Sequence, residues 1–152
     1  MRMSYTADDL DTLTRTLWGE CRGESGVGQA AVAWVVRNRL WMTRAWGMTI
    51  GQVCRARGQF SCWNTDSVEL GPMLHLLVGS DEYEALREVA RDALNGTSED
   101  PSFGATFYQV VGTKASWSLG RSPMVTIGRH EFYRLTVDGR EFQASEIGES
   151  PS

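Results

Sequence analysis

The sequence predicts an α+β fold, with a helical N-terminal half and a small antiparallel β-sheet in the C-terminal half. Apolar residues recur at helical spacing as far as about residue 96, and capping residues separate these stretches. After residue 101 the pattern changes to short β-type runs broken by glycine and proline. The 152 residues suit one compact domain with a single core. We expect that domain to cover residues 1–140 and to be followed by a flexible tail over residues 141–152.

The first predicted helix carries the most informative residue of the chain. Thr6 and Asp9 have the spacing of a capping box, so the helix should begin after Thr6. Leu13 and Leu17 continue an apolar stripe, and Glu20 lies seven positions after Leu13 and three after Leu17. This spacing puts the Glu20 carboxylate on the same stripe, facing the core. Because a glutamate is almost never buried without a partner or a function, Glu20 is a candidate functional residue.

Three further helices are predicted before residue 100. The second should run from about residue 28 to residue 40, and it is apolar on nearly every side, which is typical of a central buried helix. Thr49 can cap a short helix, and Ser80 can cap a longer one that ends at Gly96. The segment 57–66 between them is rich in turn-forming residues, and we expect an ordered loop there, the usual place for binding residues.

The predicted sheet lies in the C-terminal half. Residues 105–111 and 132–137 are rich in β-branched and aromatic residues, and glycines and a proline lie between the two runs. Two short strands of this kind are stable only when they pack against other elements. We therefore expect a small antiparallel sheet that packs on the helices.

The composition argues against several classes of function. The net charge is −4, the pI is near 5.2 and no long basic stripe is present, so we expect no nucleic-acid partner. No run approaches the roughly 18 apolar residues of a membrane-spanning helix. Three cysteines without a C-x-x-C pair and only two histidines argue against a metal site or a zinc-dependent amidase. We expect no cofactor, a monomer, and buried free thiols at Cys21, Cys54 and Cys62.

Four stretches match the landmarks of one family, in that family's order. They are Leu-Trp-Gly-Glu-Cys-Arg-Gly-Glu at the start of residues 17–39, Gly-Gln-Phe-Ser-Cys-Trp at 58–63, Asp-Pro-Ser-Phe-Gly-Ala at 100–105, and Ile-Gly-Arg-His-Glu-Phe-Tyr at 127–133. Through these stretches the chain resembles the cell-wall hydrolase family of the spore-cortex lytic enzymes. The resemblance implies a lysozyme-like α+β fold. It also implies cleavage of muramyl-glucosaminyl bonds in the glycan strands of peptidoglycan, by the lytic transglycosylase reaction.

The resemblance also implies roles for particular residues. Glu20 matches the first glutamate of the family's Gly-Glu motif and would be the catalytic acid and base. Glu24 matches the second glutamate, which could orient the site, act as a second carboxylate, bind substrate or cap the next helix. A carboxyl group donates a proton at neutral pH only if its surroundings raise its pKa above about 4.3. The candidate substrate-binding residues are polar or aromatic: Gln59, Ser61, Trp63, Asn64, Tyr108, Trp117 and His130. For the aromatic residues, packing in the core or on the sheet is an equally good interpretation.

Three alternatives stay open. A hydrolytic muramidase of the lysozyme or endolysin type would cut the same bond with water, and it usually needs a second carboxylate such as Asp66 or Asp100, although turn formation also explains both. A non-catalytic wall-binding or phage structural module would keep the fold, and an intracellular structural protein would keep a paired Glu20.

The sequence shows no signal peptide. We therefore expect a protein that stays in the cytoplasm until a lysis event releases it to the wall, as a phage-type lysin would, or a leaderless form of an exported enzyme.

Overall fold

A computed structural model describes residues 3–57 and 59–142 of the chain. In this part of the chain five α-helices precede three β-strands: α1 (Ala7–Cys21), α2 (Gly26–Met42), α3 (Ile50–Arg55), α4 (Leu70–His75), α5 (Asp81–Asn95), β1 (Phe107–Val110), β2 (Val125–Ile127) and β3 (His130–Tyr133). Short 3-10 turns cover Ser61–Trp63 and Ser116–Ser118. This order confirms the predicted α+β class. The flexible tail predicted for 141–152 lies outside the described residues from 143 onward.

The helix ends follow the capping chemistry of the sequence. Thr6 and Asp9 form the predicted capping box, in which the Asp9 N–H donates to Thr6 Oγ1 at 3.1 Å. Ser80 caps α5, and Gly96 ends it in the left-handed conformation at φ 68°. Helix α2 begins two residues earlier than predicted because its cap is Ser25, whose hydroxyl accepts from the backbone of Gly28.

Helix α2 is the centre of the core, as its composition predicted. Its residues 31–36 are fully buried between α1 and α5. At its C-terminal end the polar residues Asn38 and Arg39 are also buried. Asn38 Nδ2 donates to Asp100 Oδ2 at 2.9 Å, and Arg39 Nε donates to the carbonyl oxygen of Thr106 at 2.7 Å. These bonds fix the chain just before β1 against the helical half.

The sheet has the strand order β1-β3-β2, and both pairings are antiparallel. The register places Tyr108 opposite Phe132 and Val110 opposite His130, so these four side chains share one face of the sheet. Phe107, Gln109, Glu131 and Tyr133 occupy the other face. The face that carries Tyr108 points at the last turn of α1, which it contacts through a side-chain hydrogen bond.

Three further elements differ from the prediction, and one of them, the three-residue strand β2, was not predicted. The second strand was predicted to run over 132–137, but β3 ends at Tyr133, because the backbone N–H of Thr136 bonds the carbonyl of Arg140 and closes a separate turn. Helix α4 was not predicted. Its last carbonyl groups are satisfied from a distance, since Arg15 Nη1 donates to the carbonyl oxygens of Met73 and Leu76 at 2.9 and 2.8 Å.

Candidate active site

Glu20 lies in the last turn of α1, where the sheet and the 59–64 segment meet the helix. Its Oε1 accepts a hydrogen bond from the Tyr108 hydroxyl at 2.7 Å, and its Oε2 accepts from the backbone N–H of Cys62 at 3.3 Å. Leu17, one turn earlier, is fully buried, whereas Glu20 is only half-buried. The prediction that Glu20 faces the core is therefore only partly right. Its neighbours there are a turn and a strand rather than another helix, and they leave the carboxyl group accessible.

Tyr108 is held in place by aromatic neighbours on the same face of the sheet. Its ring centroid lies 5.7 Å from that of Phe132 and 5.1 Å from that of His130, which meets it edge-on. Burial, followed by the negative charge of Glu20, holds the pKa of Tyr108 well above its usual 10. The phenol therefore stays protonated and donates to Glu20 over the neutral and alkaline range. The sequence suggested a sugar-stacking wall at this position, and the structure adds a direct bond to the candidate acid.

The 59–64 segment packs directly on α1 because residue 19 has no side chain. A Cβ atom at Gly19 would lie 2.6 Å from Cys62 Cβ, closer than two carbon atoms can approach. Trp63 stabilises this contact, because its indole N–H donates to Thr16 Oγ1 at 2.9 Å. The close packing places the Cys62 N–H within hydrogen-bond distance of the Glu20 carboxylate.

The remaining candidates in this segment differ in exposure. Ser61 and Asn64 are exposed, Trp63 is half-buried, and Gln59 Oε1 accepts from Arg39 Nη1 at 2.8 Å. All four candidates lie within three positions of Cys62, whose backbone N–H contacts Glu20: Gln59, Ser61, Trp63 and Asn64. Their contacts with a sugar stay predictions.

Glu24, in the loop between α1 and α2, has a different environment. Its side chain is only 5% exposed, and its two oxygens accept from the backbone N–H and from Nε of Arg129, at 3.1 and 3.0 Å. The backbone and side-chain bonds from Arg129 lower the pKa of Glu24 despite its burial. Gly128 is required beside it, since its φ is +58° and a Cβ atom would lie 2.6 Å from Glu24 Oε1. Glu24 is a fixed anion that holds the β2–β3 hairpin, and Ser25, not Glu24, caps α2.

His130 lies between the two glutamate environments. It is 5% exposed, its Nδ1 lies 3.6 Å from Glu24 Oε1, and this nitrogen has no hydrogen-bond partner in the described part of the chain. Burial lowers the pKa of His130, although the charge of Glu24 acts in the opposite direction. The imidazole is therefore neutral at pH 7, and its ring supports Tyr108.

Trp117 is not brought to the same place. It packs on the opposite face of the sheet, with ring centroids 5.0 Å from Phe107 and 5.3 Å from Tyr133. A role for Trp117 in sugar binding stays a prediction, and it would need a contact region separate from Glu20. Asp100 accepts from the backbone N–H groups of Ser102 and Gly104 at 2.8 and 2.9 Å, so it stabilises a turn, as predicted.

Two positioning residues were not singled out from the sequence. Arg129 binds Glu24 across 105 positions, a pairing that local patterns do not reveal. Gln29 Nε2 donates to the carbonyl oxygens of Arg22 and Glu24 at 3.3 and 3.2 Å, and so closes the loop that separates the two glutamates. Both residues fall inside the landmark stretches, which was the only signal available for them.

The cysteines are buried and free, as expected. Burial raises the pKa of Cys54 to about 12, and it raises the pKa values of Cys21 and Cys62 further, with the charge of Glu20 adding to the effect. These thiols are therefore unreactive at neutral pH. Among residues 3–57 and 59–142, no group of His, Cys, Asp and Glu side chains is arranged to hold a metal ion, and no helix is long and apolar enough to cross a membrane.

Comparison with known proteins assigns the family. The family described as Cell Wall Hydrolase matches residues 23–133, which is more than half of the chain. The chain belongs to the cell wall hydrolase family. The match begins just after Glu20 and includes Glu24, so the case for Glu20 rests on its geometry and on the motif. The resemblance noted in the sequence is confirmed.

The curated relatives of this cell wall hydrolase are named spore cortex-lytic enzymes. Those from Halalkalibacterium halodurans, Oceanobacillus iheyensis and Bacillus subtilis are 32%, 31% and 30% identical over 134, 129 and 129 residues. Each alignment covers 84% of this chain but only 35%, 42% and 38% of the relative. The chain therefore spans well under half the length of these relatives.

Two solved structures share the fold. The catalytic domain of the Bacillus cereus SleB protein superposes with a TM-score of 0.68 at 24% identity, over 86% of this chain and 93% of that one. The catalytic domain of the germination-specific lytic transglycosylase SleB from Bacillus anthracis gives 0.69 at 24% identity, over 88% and 100%. These likenesses confirm the predicted fold.

Proposed function

We propose that this cell wall hydrolase cleaves the bond between N-acetylmuramic acid and N-acetylglucosamine in peptidoglycan, as a lytic transglycosylase with Glu20 as its acid and base. The observation that carries the proposal is the contrast between the two glutamates of the motif. In the described residues Glu20 accepts from a phenol and a backbone amide, both neutral, whereas Glu24 also accepts from a guanidinium group. The names of the relatives, spore cortex-lytic enzymes and a lytic transglycosylase, support the same reaction.

The reaction needs one group that gives a proton and then takes one back. In the first step the Glu20 carboxyl gives its proton to the glycosidic oxygen while the bond from that oxygen to the muramyl C1 breaks. The sugar ring then carries the positive charge of an oxocarbenium ion. In the second step the Glu20 carboxylate removes the proton of the muramyl C6 hydroxyl, whose oxygen bonds to C1. This closes a 1,6-anhydro ring, restores the protonated Glu20 and consumes no water.

The two hydrogen bonds on Glu20 suit this cycle. Tyr108 and the Cys62 N–H are preorganised donors, so they stabilise the carboxylate that exists between the two proton transfers. Neither donor carries a formal charge. The Tyr108 bond also fixes the orientation of the carboxyl group.

The environment of Glu24 favours the single-carboxylate reaction over hydrolysis. Glycoside hydrolases commonly use a second carboxylate as base or nucleophile. Both Glu24 oxygens are occupied by Arg129, and Asp100 is engaged in its turn. Asp66 is exposed on the loop beyond the 59–64 segment. These contacts of Glu24 and Asp100 favour the C6 hydroxyl of the substrate as the nucleophile.

Release of muropeptides from purified walls tests the proposal. Wild type and Glu20→Gln should be incubated with vegetative sacculi and with spore cortex, and soluble products measured by chromatography. We expect release by wild type and none by Glu20→Gln, which should keep the same melting temperature and still sediment with the wall. Equal release by both proteins would exclude Glu20 as the acid. No release by folded wild type from either wall would leave a non-catalytic wall-binding module.

A further inference from the structure

A cleft of about 680 Å³ lies between the end of α3 and the 59–64 segment, and two candidate residues of that segment, Trp63 and Asn64, line it. Trp63 forms one wall, and the charged residues of its lining are Arg55, Arg57 and Asp66. Two cations and one acid thus line this cleft, although the chain as a whole carries a net charge of −4. Asp8 lies 3.5 Å from Arg55 Nη1 and offsets its charge, so Arg57 is the cation of this cleft that a ligand can use.

The cleft is continuous with the structure that holds Glu20. The indole N–H of Trp63 bonds Thr16, one helical turn before Glu20 on α1, and the adjacent Cys62 gives its N–H to Glu20. One turn of an α-helix rises about 5.4 Å. The Trp63 wall of the cleft is therefore bonded to α1 about one helical turn from Glu20.

The two arginines are arranged differently. Arg55 is anchored, since its Nη2 donates to Thr12 Oγ1 at 2.7 Å, its guanidinium lies 5.4 Å from the Trp63 ring centroid, and its Nη1 lies 3.5 Å from Asp8. Arg57 is exposed, and no ion pair is seen for it in residues 3–57 and 59–142. Arg55 gives the cleft a fixed cation beside an aromatic wall, and Arg57 gives it a cation available to a ligand.

We propose that this cleft binds the carboxylates of the peptide stems that branch from the strand being cut, a proposal that rests on the proposed function. Each stem leaves the muramyl sugar through a lactyl group and carries several carboxylates along a short peptide. A guanidinium group matches a carboxylate with two parallel hydrogen bonds, and the Trp63 face accommodates aliphatic carbon. Asn64 and Thr65, which also line the cleft, supply groups that can bond peptide amides.

Cleavage rates on two forms of the same glycan test the proposal. One form keeps its stems, and the other is stripped of them with an amidase. The variant is Arg57→Gln, and the control is Arg91→Gln, which removes a partly exposed arginine of α5 that lies 3.7 Å from Glu88. On stem-bearing glycan we expect Arg57→Gln to raise KM about three- to tenfold without changing kcat, as the loss of one ion pair does. On stripped glycan it should match wild type, and Arg91→Gln should match wild type on both. Equal slowing on both glycans, or no slowing on either, overturns the proposal.

Direct binding of a free stem tetrapeptide separates the two proposals, because it does not depend on cleavage. The indole N–H signal of Trp63, assigned with Trp63→Phe, is followed by NMR during the titration. We expect the signal to shift with wild type and with Glu20→Gln. With Arg57→Gln the dissociation constant of the tetrapeptide should be about three- to tenfold higher. If wild type cuts no glycan but the tetrapeptide still binds in this way, the proposed function is wrong and the proposal that the cleft binds stem carboxylates is upheld. If the tetrapeptide leaves the Trp63 signal unchanged at millimolar concentration, the cleft proposal is wrong even if the glycan is cut.

Discussion

Glu20 and Glu24 are the same residue type, four positions apart, in very different surroundings. Glu20 is half-exposed and accepts from a phenol and a backbone amide, both neutral. Glu24 has a side chain only 5% exposed, and both its oxygens are bound by Arg129. Among the described residues, Glu24 is thus bonded by a guanidinium group, whereas both hydrogen-bond donors to Glu20 are neutral.

This difference gives the two glutamates of one motif different roles, a catalytic one for Glu20 and a structural one for Glu24. A carboxylate held by a guanidinium group keeps its negative charge, because protonation would break charge-assisted bonds. A carboxyl group held by neutral donors can lose and regain a proton while its position stays fixed. The cationic partner of Glu24 thus distinguishes it from Glu20.

Replacing Glu20 should give the largest effect. Glu20→Gln keeps the size of the side chain and an acceptor for Tyr108, but it removes the transferable proton. We expect activity on peptidoglycan to fall roughly 10²- to 10⁴-fold, the range found when a general acid is lost. The melting temperature should stay within a few degrees of wild type. A Glu20→Gln variant that is active but poorly folded would reverse the roles assigned to the two glutamates.

Replacing Glu24 should reduce stability. In Glu24→Gln an amide group meets the donors of Arg129, and we expect the free energy of unfolding to fall by about 1–2 kcal/mol, as when a bond to a charged group is lost. The effect should depend on pH. Because the pKa of Glu24 is lowered in the folded state, its stabilisation is complete above pH 4.5, the ordinary value, and is lost as the pH falls through the folded-state pKa.

Urea unfolding of wild type and Glu24→Gln between pH 7 and pH 3 measures this difference. Residual activity per folded molecule should remain well above that of Glu20→Gln. A stability difference that grows on acidification, or a complete loss of activity in a folded protein, would show that Glu24 is not simply a structural anion.

Tyr108→Phe tests the hydrogen bond that distinguishes Glu20. The phenylalanine keeps the ring contacts with Phe132 and His130 but removes the hydroxyl donor. We expect kcat to fall roughly tenfold, which corresponds to about 1.4 kcal/mol of lost stabilisation. In wild type the raised pKa of Tyr108 means that its ionisation should cause no loss of activity below pH 10. Unchanged kcat in Tyr108→Phe would reduce Tyr108 to a packing residue.

The smallest effect is expected from the exposed partner of Glu24. The Arg129 side chain is 75% exposed, so much of its attraction to Glu24 is screened by water. In Arg129→Gln the backbone N–H bond to Glu24 remains, and we expect a loss of less than about 1 kcal/mol in the free energy of unfolding. Thermal unfolding at low and high salt measures it. A larger loss in Arg129→Gln than in Glu24→Gln would contradict the view that the Arg129 side chain stabilises the fold through its bond to Glu24.

The elements that could be predicted from the sequence are those set by contacts between residues close together in the chain. Helix α5 was predicted because Ser80 and Gly96 act within one turn of its ends. Helix α4 was missed because Arg15, about 60 positions earlier, satisfies its terminal carbonyls. Strand β2 is only three residues long and was also missed.

The same distinction holds at the candidate site. Glu20 could be selected because its helical spacing and its motif are local features. The bonds to it from Cys62 and Tyr108 cross 42 and 88 positions, and the bonds from Arg129 to Glu24 cross 105. The residues that divide the roles of the two glutamates therefore became apparent only in the folded chain.

The mass of the cut ends, after digestion in water enriched in ¹⁸O, tests the central claim most directly. Wild type should produce 1,6-anhydromuramic ends that are lighter than reducing ends by one water and contain no ¹⁸O, because the C6 hydroxyl is the nucleophile. Glu20→Gln in parallel should produce no new ends. Reducing ends that carry ¹⁸O would instead show that water attacks C1, which would make the protein a hydrolytic muramidase and contradict the single-carboxylate account.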